Sequence, residues 1–473
     1  MKQDTICALA TANGIGAIGI VRVSGEDAIA IVNKIFEGKN LEKVDSHTVH
    51  YGFIIDKAES TPDFGLQTSD YIDEVMVSVF KAPKSFTTEN SVEISFHGSP
   101  HIGKKILETL IKNGARMAKA GEFTMRAFMN GRIDLSQAEA IADIIAAENE
   151  ASRKVAMSQL KGGISNEISI LRNDLLNFAS LVELELDFAE EDVEFADRTA
   201  LTQLLNKIEF KLKSLIDSFQ YGNAIKSGVA VAIIGKPNAG KSTLLNALLK
   251  EERAIVSEIA GTTRDTIEEV LHIKGNAFRL IDTAGLRETE DTIEAIGVVK
   301  AKEKVAQADI LVYLIDANTK DLSEDVAMLN ELMRVDMKTI VCITKSELSH
   351  NNLALKENIV RNFQHLTSDL QLMEISAKEN IHLQELKDEF SNYVENLKTT
   401  ESNVVITNQR HYEALQKSIE AVYKVKDAIT HQISTELLAY ELRNSLEYLG
   451  EISGEFTNDE LLGNIFSKFC IGK

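Results

Sequence analysis

Cysteine, long apolar runs and positive charge are all scarce in this 473-residue chain. Its three cysteines, Cys7, Cys342 and Cys470, lie far apart, are odd in number and show no metal-ligand spacing, which argues against a disulfide framework and against a zinc site. No run reaches the about 18 apolar residues that span a bilayer. The first residues, MKQDTICALATANGIG, include an acid and lack a long apolar core, so they do not read as a secretory signal. These absences predict a cytoplasmic protein with no membrane attachment. Basic residues number 51 against 72 acidic ones, a net charge of -21. A field of that sign repels phosphate backbones. It disfavours bulk electrostatic capture of nucleic acid and leaves room for a local basic patch or for a partner protein that carries the basic surface. Internal repeats and low-complexity tracts are missing as well.

Hydrophobic residues at 44% and charged residues at 26% match soluble globular chains, and the length suits two to four domains rather than one. Residues 1–119 hold strand-like runs at 15–25, 74–83 and 91–99 between polar, glycine-containing turns, and predict an α/β domain. From 120 to 225 the period becomes helical, with apolar stripes at Ala138, Ile141, Ala142 and Ile145 and at Leu175, Leu176, Ala179, Val182 and Leu186. The acidic run at 183–195 reads as a solvated helix end or face. Residues 226–386 alternate strand and helix signals: VAVAIIG, STLLNALLK, FRLIDTAG, DILVYLIDA, TIVCITK and LMEISAK. Nearly continuous apolar strands predict a sheet covered on both faces. A turn at Gly275-Asn276 predicts an antiparallel pair at its edge. Helical periodicity returns over 387–473, so the α/β unit reads as an insertion between two helical halves that pack together.

The stretch Gly235-Lys236-Pro237-Asn238-Ala239-Gly240-Lys241-Ser242 matches G-x-x-x-x-G-K-[ST] and lies between an apolar strand and a helical run. Its amides and the helix amino terminus, with Thr243, are suited to wrap phosphates, while Lys241 reaches the β and γ oxygens and the Ser242 hydroxyl binds Mg²⁺. Downstream, Asp282-Thr283-Ala284-Gly285 puts a carboxylate at a strand end near the metal and a glycine amide where a γ-phosphate would sit. Between the two motifs, Gly261-Thr262-Thr263-Arg264-Asp265 offers Thr263 as a Mg²⁺ ligand held only while the γ-phosphate orders the loop. Base recognition is altered from the usual Asn-Lys-x-Asp, reading Thr344-Lys345-Ser346-Glu347. The lysine remains and the carboxylate is one methylene longer, but threonine replaces the asparagine that normally ties the loop together, so guanine affinity is expected to fall. Ser376-Ala377-Lys378 still favours GTP over ATP, with the Ala377 amide near the guanine O6.

Ras-like enzymes place a glutamine after the DxxG glycine to orient the attacking water; here Leu286 stands there. Another group must do so, and Glu288, Glu290, Asp291 and Glu294 are the nearby carboxylates, among which chemistry alone does not choose. Asn238 is either a turn residue after Pro237 or a ligand for a monovalent cation that replaces an arginine finger.

PNAGKS, GTTRD and DTAGLRET, the upstream run GEFTMRAFMNGRIDLSQAEAIADII at 121–145 and the terminal Cys470-Ile471-Gly472-Lys473 together carry a resemblance over the full length. The chain resembles the bacterial and organellar tRNA modification GTPase family called MnmE or TrmE. The resemblance implies an α/β plus α fold: an N-terminal α/β folate-binding-like domain that dimerises, a discontinuous helical domain, and an inserted P-loop GTPase domain with a mixed sheet. It implies a homodimer acting with an FAD-dependent GidA or MnmG-type subunit on C5 of the wobble uridine of certain tRNAs, adding a carboxymethylaminomethyl-type group. Asn238, Ser257, the Ile259 carbonyl and Thr262 would then hold K⁺, within a loop running Ser257, Glu258, Ile259, Ala260, Gly261, Thr262, and Glu294 would orient the water. Arg22, Glu93, Arg132 and Lys473 would contact 5-formyltetrahydrofolate or a related one-carbon folate. A carboxylate suits a pterin amide edge and cations suit the folate glutamate, while Arg132 stands where some members carry lysine. Cys470 would lie near the one-carbon unit, in a chemical or a structural role.

Rival functions are a ribosome-assembly GTPase, a switch that gates a partner without joining the chemistry, and a folate-dependent one-carbon transferase with an accessory GTPase. No basic G-x-x-G module follows the GTPase, which speaks against the first.

Overall fold

A computed structural model describes residues 4–57, 69–187, 198–250, 269–281, 305–334, 337–348, 353–363, 370–398, 404–431 and 433–472. The chain forms two compact units, one of Met1–Ala142, Gln159–Leu176 and Leu446–Lys473, the other of Asp143–Ser158 and Asn177–Ser445.

A seven-stranded sheet underlies the first unit. Its strands are β1 (Ile6–Leu9), β2 (Ile18–Ser24), β3 (Phe36–Glu37), β4 (Thr48–Lys57), β5 (Ser69–Phe80), β6 (Ser91–His97) and β7 (Arg116–Met117), in the order β3-β4-β5-β6-β2-β1-β7. The pairs are antiparallel apart from β1 with β7. Alternation along each strand gives the sheet two different faces. Val21, Val23, Val75, Val77, Val79, Val92 and Ile94 are buried beneath α1 (Ala28–Ile35) and α2 (Pro100–Lys112), which add Ile31, Ile35, Ile106 and Leu110. The opposite face carries Arg22 and Glu93. Strands expected at 15–25, 74–83 and 91–99 are β2, β5 and β6. The sequence pattern did not reveal β1, only four residues long, or β4, whose alternation shifts at a bulge between Ile54 and Ile55.

After β7, α3 (Glu122–Met129) is anchored by buried charge. Arg126, 5% exposed, donates to the Asp4 carbonyl and Oδ1 at 2.9 Å, to Glu89 Oε1 at 3.2 Å and to Glu122 Oε1 at 3.1 Å. Arg116 grips both oxygens of Glu122, at 2.6 and 2.8 Å. Each buried charge therefore meets an opposite one, the condition under which burial is tolerated.

Four helices follow: α4 (Leu135–Ala146), α5 (Glu150–Leu160), α6 (Gly163–Asp187) and α7 (Arg198–Ser227). On α4 the expected stripe holds only at its start, since Ala138 is buried and Ile145 is 45% exposed. Burial gathers in the first turns, where Leu135 and Ala138 meet Phe466 and Phe469. On α6, Leu175, Ala179 and Val182 are buried at helical spacing, Leu176 points outward, and the side chain of Leu186 lies outside the described residues. The acidic run departs from a fully solvated face, because Glu185 is buried; residues 188–195 of that run lie outside the described residues.

The second unit holds a six-stranded sheet. In chain order its elements are β8 (Val229–Gly235), α8 (Lys241–Lys250), β9 (Glu269–Ile273), β10 (Asn276–Leu280), β11 (Ile310–Asp316), α9 (Ser323–Leu332), β12 (Lys338–Thr344), α10 (Leu353–Phe363), β13 (Gln371–Glu374) and α11 (Leu383–Asn396). The strand order is β13-β12-β11-β8-β10-β9, parallel except for β9. Successive residues of the strands enter two cores. Val231, Val312, Leu314 and Cys342 pack with Leu244, Leu248, Leu386 and Phe390 of α8 and α11. Ala232, Leu311, Tyr313 and Val341 pack with Leu329, Leu332 and Ile359 of α9 and α10. Two covered faces explain why these strands read as unbroken apolar runs. The edge hairpin turns at Lys274-Gly275, one residue earlier than expected, with φ of 49° and 84°. A two-residue turn of this hand needs positive φ at both central positions, which Asn276, inside β10, does not supply.

The chain closes with α12 (Gln409–Thr430), α13 (Thr435–Ser453) and α14 (Asp459–Ser467). In the second unit α12 lies on α7: the Phe219 and Tyr412 rings stack at 4.3 Å, and the Ile406 amide donates to Ser218 Oγ at 3.0 Å. Among the described residues no helix is long and apolar enough to cross a membrane.

Candidate functional site

The phosphate loop leaves β8 at Gly235 and ends in α8, so its amides and the first helical turn face the same space. The Ala239 amide closes a turn on the Lys236 carbonyl at 3.2 Å, and the Leu244 amide bonds Gly240 at 2.9 Å as the helix begins. Asn238 takes φ 64° and Gly240 φ 91°. The left-handed region suits both residue types, so the turn reading of Asn238 is met, and its exposed side chain also stands at the loop's outer rim. Lys241 Nζ donates to the carbonyls of Gly235 and Lys236 at 2.6 and 2.8 Å, which folds the ammonium over the loop. Ser242 and Thr243 are exposed at the helix start.

The segment Thr344-Lys345-Ser346-Glu347, expected to recognise the base, is tied to the phosphate loop. Thr344, 5% exposed at the end of β12, donates its hydroxyl to the Ala239 carbonyl at 2.8 Å and approaches the Ile315 carbonyl at 3.3 Å. A threonine thus supplies a tie to the phosphate loop at the position where the usual motif has asparagine. Lys345, with φ 57°, places its ammonium 2.6 Å from Asp316 Oδ2. The Ser346 amide reaches the Ile375 carbonyl at 3.4 Å, which joins this segment to Ser376-Ala377-Lys378; there Ser376 Oγ accepts from the Glu379 amide at 3.2 Å and Ala377 packs half-buried. Glu347 Oε2 is buried and has no hydrogen-bond partner among the described residues. A buried carboxylate oxygen without a donor is costly, and the N1–H and exocyclic amine of guanine are donors of the kind it lacks.

Behind the loop, Lys236 pairs with Glu324 and Asp325 at 2.9 Å each, and Asp325, 1% exposed, accepts from the buried Tyr313 hydroxyl at 3.0 Å. Burial works against the Lys236 charge, yet the two carboxylates hold its pKa above the ordinary value. The sequence hinted at neither Asp316 nor Asp325 beyond their place at the end of an apolar strand and in the first turn of a helix.

A second constellation lies on the face of the N-terminal sheet opposite α1 and α2. Arg22 and Glu93 are register partners on β2 and β6, with Nε 2.9 Å and Nη2 2.8 Å from Glu93 Oε1. Arg132 donates to the Phe86 carbonyl at 2.6 Å and lies 4.9 Å from that ring, and Arg22 lies 5.6 Å from the same ring. The C-terminal tail reaches this place: Ile471 bridges Ala120, and the Gly472 carbonyl accepts from Arg22 at 3.3 Å. The structure therefore brings Arg22, with its partner Glu93, and Arg132 to Phe86, an aromatic the motifs did not single out. Cys470 is exposed, whereas burial pushes the thiols of Cys7 up to about 11 and Cys342 up to about 12. Ser257, Glu258, Ile259, Ala260, Gly261, Thr262, Thr263, Asp282, Thr283, Ala284, Gly285, Leu286, Glu288, Glu290, Asp291, Glu294 and Lys473 lie outside the described residues.

A strand, a G-x-x-x-x-G-K-S loop and a helix in a mixed sheet define a P-loop nucleotide hydrolase. Residues 5–132 match the family model described as GTP-binding protein TrmE N-terminus, and 135–470 match the MnmE helical domain. The chain is 50% identical over 481 aligned residues to the tRNA modification GTPase MnmE of Flavobacterium johnsoniae, covering 100% of both chains. It is 45% identical to the protein of the same name from Porphyromonas gingivalis, covering 100% of this chain and 98% of that one. Among solved structures, a single-residue variant of Aquifex aeolicus Era bound to GDP.AlF4- is 28% identical with TM-score 0.27, covering 41% of this chain and 66% of that one. The chain belongs to the MnmE family of tRNA modification GTPases.

Proposed function

We propose that the chain hydrolyses GTP to drive modification at C5 of the wobble uridine in certain tRNAs, adding a carboxymethylaminomethyl-type group together with an FAD-dependent GidA or MnmG-type subunit. The observation that carries the nucleotide half is the Thr344 bond to the phosphate loop, together with the Glu347 oxygen that has no donor among the described residues. Together they support a reading in which the phosphate and base subsites are tied to one another. Ser242 and Thr263 would hold Mg²⁺, and Asn238, Ser257, the Ile259 carbonyl and Thr262 would hold K⁺; the cations' contribution is positive charge at the β and γ phosphates as the bond breaks. By the family resemblance Glu294 would orient the attacking water, a task for which Leu286 has no polar group.

The cluster of Arg22, Glu93 and Arg132 beside Phe86 fits a folate: cations for its glutamate, a carboxylate for its pterin, an aromatic face for its ring. With Lys473, these residues would bind 5-formyltetrahydrofolate or a related folate, which supplies the one-carbon unit. Cys470 is exposed two residues before Gly472, whose carbonyl accepts from Arg22, and would lie near the one-carbon unit. Functional divisions at 1–119, 120–225, 226–386 and 387–473, a homodimer, and a cytoplasmic place of work complete the reading. The net charge of -21 suits a division in which the partner subunit holds most of the RNA.

Replacing Na⁺ by K⁺ tests the cation-assisted step. GTP turnover should rise about tenfold or more in K⁺, and Glu294→Ala should lose that turnover while still binding nucleotide; equal rates in both salts would contradict the proposal.

A further inference from the structure

Asp316 is the last residue of β11 and the register partner of Thr344, so it stands beside the strand end that ties down the phosphate loop. Its Oδ2 holds the Lys345 ammonium at 2.6 Å. Its Oδ1 accepts from the Asn318 amide and side-chain nitrogen at 2.9 and 3.0 Å, so the carboxylate cannot turn without losing bonds. Lys345 itself is held in the left-handed region at φ 57°, a conformation a lysine adopts only when its surroundings impose it. Burial opposes charge on Asp316, yet Lys345 and the Asn318 amide outweigh it and hold the carboxyl below its ordinary value. The side chains are 24% and 35% exposed, enough to weaken the attraction through solvent and too little to abolish it.

We propose that Asp316 is a positioning residue for the nucleotide base, acting through Lys345, whose methylene stem it fixes before the base arrives. The inference rests on the reading that Lys345 and Glu347 serve the base, and it divides their labour. Glu347 reads the hydrogen-bonding edge, which differs among purines. The stem of Lys345 meets the ring face, which purines share. Asp316 therefore governs how tightly a purine nucleotide binds and not which purine is preferred. Its effect is one of preorganisation: without the pair, the lysine must lose its rotamer freedom when nucleotide binds.

The test measures Kd for GDP and GTP, and KM and kcat for GTP and ITP, in the full chain and in Asp316→Ala, Asp316→Asn, Asp316→Glu and Glu347→Ala. ITP lacks the exocyclic amine. Asp316→Ala and Asp316→Asn should raise Kd and KM about five- to tenfold for every nucleotide, with kcat within about twofold and the GTP to ITP ratio kept. Asp316→Glu should recover part of the loss, because its carboxylate still reaches the ammonium. Glu347→Ala should collapse the ratio. Unchanged affinity in both Asp316→Ala and Asp316→Asn, or a fall in kcat at unchanged KM, would overturn the role of Asp316 alone. A Glu347→Ala protein that kept its preference for GTP would overturn the base-site reading and the inference with it.

Discussion

Thr344 shows how one hydroxyl can hold two subsites together. Its partner, the carbonyl of Ala239, belongs to a residue only 2% exposed, so no solvent replaces a lost donor. Thr344→Val keeps the shape and removes the bond, leaving a buried carbonyl unpaired at a cost of about 1–2 kcal/mol. GTP should bind roughly five- to thirtyfold more weakly, read as Kd by titration, while Thr344→Ser keeps affinity near the parent. The ionic knot around α3 makes a second prediction. Burial raises the Glu122 pKa, but Arg116, the Lys119 amide and Arg126 outweigh it, so the folded value lies below the ordinary one. A group with a depressed folded pKa contributes stability that is present above its unfolded value and lost as pH falls through the folded one. Calorimetric unfolding should therefore show the first unit weakening below about pH 4.5, and Glu122→Gln should be less stable at pH 7 with a flatter acid limb. An unchanged acid limb would remove this network from the stability of α3.

Elements differ in how plainly their sequence announces them. The phosphate loop lies in eight consecutive residues, so its chemistry and its strand–loop–helix setting are visible together. The tie from Thr344 spans 105 positions, and only folding brings its ends together. In the same way, β4 hides behind its bulge, and the stripes on α4 and α6 diverge where the partner surface ends, at Ile145, or lies one residue round, at Leu176. The α7 helix contains a residue whose choice is explained only by its neighbour. Gly222 lowers helix propensity by about 1 kcal/mol relative to alanine, yet a Cβ there would lie 1.9 Å from the Ile406 carbonyl. Gly222→Ala should thus destabilise the packing of α7 against residues 404–408 by about 1–3 kcal/mol despite improving the helix. A raised melting temperature would show that propensity outweighs the close approach.

At the scale of the whole molecule, family membership rests on similarity along the full length, and the site geometry supplies physical reasons for part of it: a joined phosphate and base frame in one unit, and a cation–carboxylate–aromatic cluster reached by the C-terminal tail in the other. The cluster proposed to bind folate was picked out only through resemblance, because single strand-borne charges such as Arg22 and Glu93 look like ordinary surface until β2 and β6 pair them. GTP hydrolysis and tRNA modification must be joined in the same protein if this account holds, and mass spectrometry of tRNA nucleosides tests that most directly. A strain lacking the gene, complemented with Lys241→Ala, should carry unmodified C5 on the wobble uridine, and complementation with the unaltered gene should restore the modification. Full modification in the uncomplemented strain, or in the Lys241→Ala strain with its GTPase activity abolished, would contradict it.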